Sequence, residues 1–202
     1  MKIENAICSV VCLQAYRLGN GDLDLHRTMI GRLIERELQR VITGGSYIFR
    51  VGMTMGADIW AAERITRLRD SYYPEIQLHC YLSRETQADH WPADWRRQYL
   101  HVLAGADEVV FLQDKYSKGC MARRSRAMMQ GSGVLLAVHD NVAGGGLSRV
   151  IGHAELQGIE TIVIQAREGP EVPAGYESSR LQVSSTYPAE FSRGRSAIKR
   201  AW

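Results

Sequence analysis

Gly52-Met53-Thr54-Met55-Gly56-Ala57-Asp58 is the stretch that decides the fold. It follows the β-rich run Tyr47-Ile48-Phe49-Arg50-Val51 and precedes a helical stripe of Ala61, Ile65 and Leu68, so it reads as a strand-turn-helix junction. Glycine has no Cβ, which lets backbone N–H groups approach an anion while the following helix points its positive end at the same place. A second junction, Asp140-Asn141-Val142-Ala143-Gly144-Gly145-Gly146, follows the apolar run Gly133–Val138. Two such turns predict a site for a nucleotide-type ligand bearing phosphate.

Working outward from the first turn, strands and helices alternate. Ala6–Leu13, Ile76–Leu82, Glu108–Leu112 and Thr161–Ile164 are further short apolar or β-rich runs. Helices are predicted over Leu25–Ile42, stopped by Gly44-Gly45, and over Asp58–Arg69, Met121–Met129 and Leu147–Leu156. Another helix starts at Trp91-Pro92, with Trp91, Trp95, Tyr99 and Leu103 four apart on one face, a spacing typical of a core or a subunit interface. This alternation implies an α/β fold: a mostly parallel sheet with helices on both faces, joined by right-handed crossovers. Residues 1–165 read as one domain. Residues 166–202 hold three of the five prolines and little periodicity, and read as an irregular, weakly basic C-terminal extension.

With 202 residues, 45% apolar and 23% charged, the chain has the composition of one soluble domain. The net charge of +3 argues against nucleic acid as a partner, although Arg193, Arg195, Lys199 and Arg200 fall in the last ten residues without an acid among them. No apolar run reaches membrane-spanning length and the N-terminus lacks a signal-peptide pattern, so the expected location is the cytoplasm. Cys8, Cys12, Cys80 and Cys120 form no CxxC pair and have no histidine at zinc spacing; buried, reduced thiols are expected, and no metal.

In an open parallel sheet, ligands bind beyond the carboxyl ends of the strands. That rule gathers Tyr16 and Arg17 after the first strand, Gly52, Met53, Gly56 and Asp58 after the second, Lys115 and Tyr116 after the fourth, and Asp140, Gly144, Gly145 and Gly146 after the fifth. Cations, backbone N–H groups and a few carboxylates suit a phosphate or a ribose. Each has a plainer use: the glycines as tight turns, Asp58 as a helix cap, Arg17 as a solvated surface charge. Glu63 lies five residues beyond Asp58 and so is rotated about 140° from it on a helix, which makes the two a poor acid/base pair. Arg123, Arg124 and Arg126 point different ways on their helix, and Arg124 is the one favoured for the site.

Three stretches carry a family resemblance: Gly52 to Glu63, Gly119 to Met129, and Leu136 to Asp140 before Gly144-Gly145-Gly146. They resemble the bacterial YpsA-like family of the SLOG superfamily, which also holds the DNA-processing DprA/Smf proteins and the LOG cytokinin-activating enzymes. The resemblance implies a Rossmann-like three-layer fold and a nucleotide-derived or ADP-ribose-like ligand, with no other cofactor, and makes a homodimer plausible. Departures are specific. The family's Thr-Gly-His-Arg-Pro loop corresponds to Gln14-Ala15-Tyr16-Arg17-Leu18, its Arg-Asn pair to Arg124-Ser125, and its Gly-Gly-Thr to Gly145-Gly146-Leu147.

Two functions compete on this basis. One is binding or sensing of a phosphorylated, nucleotide-derived ligand with little turnover. The other is LOG-like cleavage of the N-glycosidic bond of nucleoside monophosphates, whose Pro-Gly-Gly-x-Gly-Thr signature and nearby glutamate are missing from Ala143 to Arg149; Glu63 or Glu155 would have to substitute. DNA binding by analogy with the DNA-processing relatives ranks last, because the body of the chain offers no basic face.

Overall fold

A computed structural model describes residues 6–18, 22–140 and 143–166, with the backbone of 183–184. The strands are β1 (Ile7–Cys12), β2 (Ile48–Val51), β3 (Gln77–Leu82), β4 (Glu108–Phe111), β5 (Val134–His139), β6 (Glu160–Gln165) and β7 (Val183–Ser184). Between them run α1 (Leu23–Thr43), α2 (Ala57–Ser71), α3 (Ala93–Ala104), α4 (Cys120–Met129) and α5 (Gly146–Leu156). Short 3-10 turns at Ala15–Leu18 and Glu85–Ala88, which carry no periodic signal in the sequence, cover the carboxyl ends of β1 and β3.

One sheet holds all the strands in the order β4-β3-β2-β1-β5-β6-β7. The first six are parallel, as the alternation predicted; β7 runs antiparallel to β6, with Ile164 opposite Val183. This two-residue strand corrects the irregular reading of 166–202 at Val183–Ser184, since two residues are too few to show a period. The rest of that reading, from 167 to 182 and from 185 to 202, lies outside the described residues.

Alternate residues of the central strands feed two cores. Cys8, Val10 and Cys12 of β1, with Val134, Leu136 and Val138 of β5, pack under α1, α2 and α3 in the larger one. Val11, Leu135 and Ala137 point the other way, onto Met128 and Met129 of α4 and Ala154 of α5. Every residue of β5 is buried, which is why its sequence reads as an unbroken apolar run. The result is a Rossmann-like three-layer α/β fold. Asp22 caps α1 by accepting from the N–H groups of Asp24 and Leu25, and Gly44-Gly45 ends it, Gly45 at φ 107°.

Successive connections carry the chain outward from β1 to β4; α4 then returns it to the other side of β1. That reversal makes the crevice between the carboxyl ends of β1 and β5 the topological switch point.

The aromatic stripe of α3 faces the core. Trp95 stacks on Trp60 of α2 with centroids 6.0 Å apart, and Tyr99 meets Trp91 edge-on at 5.1 Å. The Tyr99 ring is buried, yet its hydroxyl has no partner among the described residues, and burial pushes its pKa up to about 12. A buried, unpaired hydroxyl costs stability that a ring without it would not. Tyr99→Phe should therefore match or exceed the wild type in urea denaturation, whereas Tyr99→Ala should lose about 3–5 kcal/mol.

Candidate functional site

The first glycine turn is enclosed by protein. Gly56, at φ 132°, has no room for a side chain: a Cβ there would lie 2.5 Å from the Ala15 nitrogen and 3.0 Å from the Leu13 oxygen. Gln14 and Gly56 form an antiparallel bridge, Ala15 N–H donates to the Met55 carbonyl at 3.0 Å, and Ala57 N–H donates to the Leu13 carbonyl at 3.4 Å. The loop after β1 thus lies across the N-terminus of α2 and takes an N–H that a phosphate would otherwise use.

Asp58 is the centre of this assembly and is 1% exposed. Its Oδ1 accepts from Cys12 N–H at 2.8 Å; its Oδ2 accepts from Thr54 N–H at 2.9 Å and from the Thr54 hydroxyl. Burial raises its pKa, and the Arg124 guanidinium and these donors work in the opposite direction. Arg124 is buried, which lowers its pKa against the pull of Asp58, and its Nη1 donates to the Gly52 carbonyl at 2.7 Å. A Cβ at position 52 would stand 2.8 Å from Arg124 Cζ, so a side chain there would displace that guanidinium. Met53 is fully buried at φ 52°, a conformation costly for a side-chain-bearing residue, and its carbonyl accepts from Gln87 Nε2 at 2.6 Å. Gln87 Oε1 in turn accepts from the Ser83 N–H and hydroxyl.

The second glycine turn is uncrowded among the described residues. Gly144 has φ 77°, and a Cβ at Gly144 or Gly146 would meet no heavy atom within 4 Å. Gly145 caps α5 without a side-chain hydrogen bond. Beside it, Arg17 Nε donates to Asp140 Oδ2 at 2.6 Å, joining the loops after β1 and β5 across the switch point. Asp140 holds the Arg17 guanidinium above its usual pKa. Tyr16 next to it is 71% exposed. His139 Nε2 and Ser148 Oγ, 2.9 Å apart, tie the end of β5 to the first turn of α5.

The sequence-derived candidates therefore fall into two groups. Tyr16, Arg17, Asp140, Gly144, Gly145 and Gly146 surround the opening; Gly52, Met53, Gly56, Asp58 and Arg124 form the buried support behind it. Two stand elsewhere. Glu63 pairs with Arg27 Nη2 at 2.7 Å across α1 and α2. Tyr116 follows β4, at the far edge of the parallel strands, and carries the Arg84 guanidinium 5.3 Å over its ring. Thr54, Gln87, His139 and Ser148 had no local signal; each acts through a partner that only the fold supplies. Among the described residues no group of three or more His, Cys, Asp or Glu could hold a metal ion, and no helix is long and apolar enough to cross a membrane.

The geometry defines an α/β protein whose parallel sheet has its topological switch point between β1 and β5. A family model described as the YspA SLOG family matches residues 14–157, and the chain belongs to that family. The match spans both glycine turns, Asp58, Arg124 and the Arg17–Asp140 pair. The chain is also similar to a UPF0398 protein of Halalkalibacterium halodurans, 27% identical over 115 residues, covering 56% of this chain and 60% of the relative.

The contrast between the turns predicts opposite responses to one added methyl group. Gly56→Ala should lose about 3 kcal/mol in chemical denaturation, because backbone blocks the methyl and the φ is positive. Gly146→Ala should stay within about 0.5 kcal/mol of wild type, since no described atom lies within 4 Å of the added methyl.

Proposed function

We propose that this protein binds a nucleotide-derived, phosphorylated ligand in the crevice between β1 and β5, with little or no turnover. The observation that carries the reading is the glycine N-terminus of α5, where a Cβ at Gly144 or Gly146 would meet no heavy atom within 4 Å among the described residues, in the loop that begins at the Arg17–Asp140 pair. Backbone N–H groups at a helix N-terminus and an adjacent guanidinium are complementary to a phosphate. Tyr16, exposed at the rim, offers a ring on which a base could stack. The buried group, Asp58 with Arg124 and the first glycine turn, holds both rims at a fixed spacing.

The carboxylates favour binding over hydrolysis. Glycosidic cleavage wants an acid free to stabilise an oxocarbenium-like charge. Glu63 is committed to Arg27, and Glu155 lies about 13 Å along α5 from its N-terminus. Asp140 is already engaged by Arg17. The four buried thiols, none of them paired in a disulfide, suit a reducing compartment, and we place this binding in the cytoplasm.

Thermal-shift measurements with AMP, NAD and ADP-ribose test the reading, because a ligand that binds the native state raises the melting temperature. At least one should raise it, and Arg17→Ala should reduce that rise relative to the melting temperature of the free variant. Incubation with AMP should release no adenine. Release that disappears in Glu63→Ala or Glu155→Ala would establish the hydrolase instead.

A further inference from the structure

Lys115 and Tyr116 stand away from the switch point, on the loop that leads from β4 into α4. That loop is tied down by its own side chains. Gln113 is the hub: its Oε1 accepts from the Ser117 hydroxyl at 3.0 Å and from Arg123 Nη2 at 2.5 Å, and its Nε2 donates to the Lys115 carbonyl at 2.5 Å. Arg123 also donates to the Ser117 hydroxyl oxygen and, through Nη1, to the Lys118 carbonyl at 3.4 Å. With the polar groups of the loop so engaged, Lys115, Tyr116 and Lys118 are left exposed. Arg84, from the end of β3, lays its guanidinium 5.3 Å from the centroid of the Tyr116 ring. The ring is still open on its other side, Tyr116 being 69% exposed. The cations of this corner are Arg84, Lys115, Lys118, Arg123 and, one turn further along α4, Arg126. The acids are Glu85 beside Arg84 and Asp114 beside Lys115. None of these is in an ion pair among the described residues, so the excess of positive charge is not cancelled locally.

We propose that this corner binds single-stranded nucleic acid, with a base stacked on the open face of Tyr116 and the flanking phosphates on Lys115 and Lys118. An exposed ring set among unpaired cations is complementary to a chain that alternates a flat base with a phosphate. An acidic peptide would supply the charge but no ring at each step, and a duplex keeps its bases stacked away from the tyrosine. Arg84 completes the stack from behind: guanidinium, phenol ring and base lie in succession, and the cation strengthens the contact. The loop is held in place before any ligand arrives, so little ordering is charged to binding. No basic run marks this patch in the chain. The parallel pairing of β3 with β4, which sets Leu82 opposite Phe111, brings Arg84 to the loop. This binding is independent of the crevice between β1 and β5 and stands whether or not a nucleotide enters there.

Fluorescence anisotropy of the full chain with labelled oligo(dT) and oligo(U) of about twelve nucleotides, at about 50 mM salt, tests the assignment. At least one should bind, and the tighter of the two tells DNA from RNA. Tyr116→Ala should weaken binding about tenfold, whereas Tyr116→Phe, which keeps the ring, should bind as the wild type does. Replacing Lys115 and Lys118 together by alanine should make the slope of log affinity against log salt shallower by about 1.4. The three side chains are exposed, and circular dichroism of each variant checks its fold. Arg193, Arg195, Lys199 and Arg200 are unchanged in every variant. Binding through them would leave all the affinities and slopes alike, and that result would overturn the assignment. Loss in the lysine variant with Tyr116→Ala silent, matched by equal binding of polyglutamate, would mark a site for acidic polymers in general and overturn it too. So would failure of the wild type to bind either oligonucleotide.

Discussion

A single carboxylate, that of Asp58, fixes the geometry on which the crevice depends. Its two oxygens accept from the backbone at the end of β1 and from both donors of Thr54 in the turn after β2. Two adjacent parallel strands have no covalent reason to place their following loops in register, because the connection between them passes through the whole of α1. The Asp58 bridge supplies that reason. It is buried, so its hydrogen bonds are made where an unpaired acceptor would be most costly, and Arg124 balances its charge from the opposite layer of helices. The carboxylate therefore joins all three layers: a helix above the sheet, two strand ends within it, and α4 below.

This bridge explains a division of labour between two turns that look alike in sequence. In the turn at Gly52–Asp58 the Thr54 and Ala57 amides donate to protein, and both glycines are covered, one by the loop after β1 and one by a guanidinium. Glycine is needed at position 56 because backbone comes too close for a side chain. At the turn Gly144–Gly146, among the described residues, a Cβ at Gly144 or Gly146 meets no heavy atom within 4 Å, and the N-cap residue Gly145 makes no side-chain hydrogen bond. Glycine is compatible there with an approach from outside. The same residue type thus serves packing in one place and access in the other.

The loop after β1 fits this picture. Gln14 and Ala15 contribute through backbone, to Gly56 and Met55, so their side chains are little constrained. Arg17 contributes through its guanidinium, which reaches across the switch point to Asp140. Arg17 is thus the residue of this loop whose side-chain chemistry the geometry uses.

Periodicity and glycine placement were enough to give the strands, the helices, the parallel sheet and the edge of the sheet where the site lies, because each is a local property of consecutive residues. The motif from Gly52 to Glu63 also gave the family, but could not show that its glycines face protein or that Glu63 turns toward Arg27. Those facts depend on what lies opposite, and the opposing residues are 36 to 72 positions away in the chain. The Arg17–Asp140 pair spans 123 positions and the Thr54 and Gln87 contacts have no pattern of their own. Sequence by itself determined which elements form and in what order they join. Only tertiary structure decided which glycine turn is sealed and which is open, because a side-chain position is filled or empty according to neighbours that the local chain does not contain.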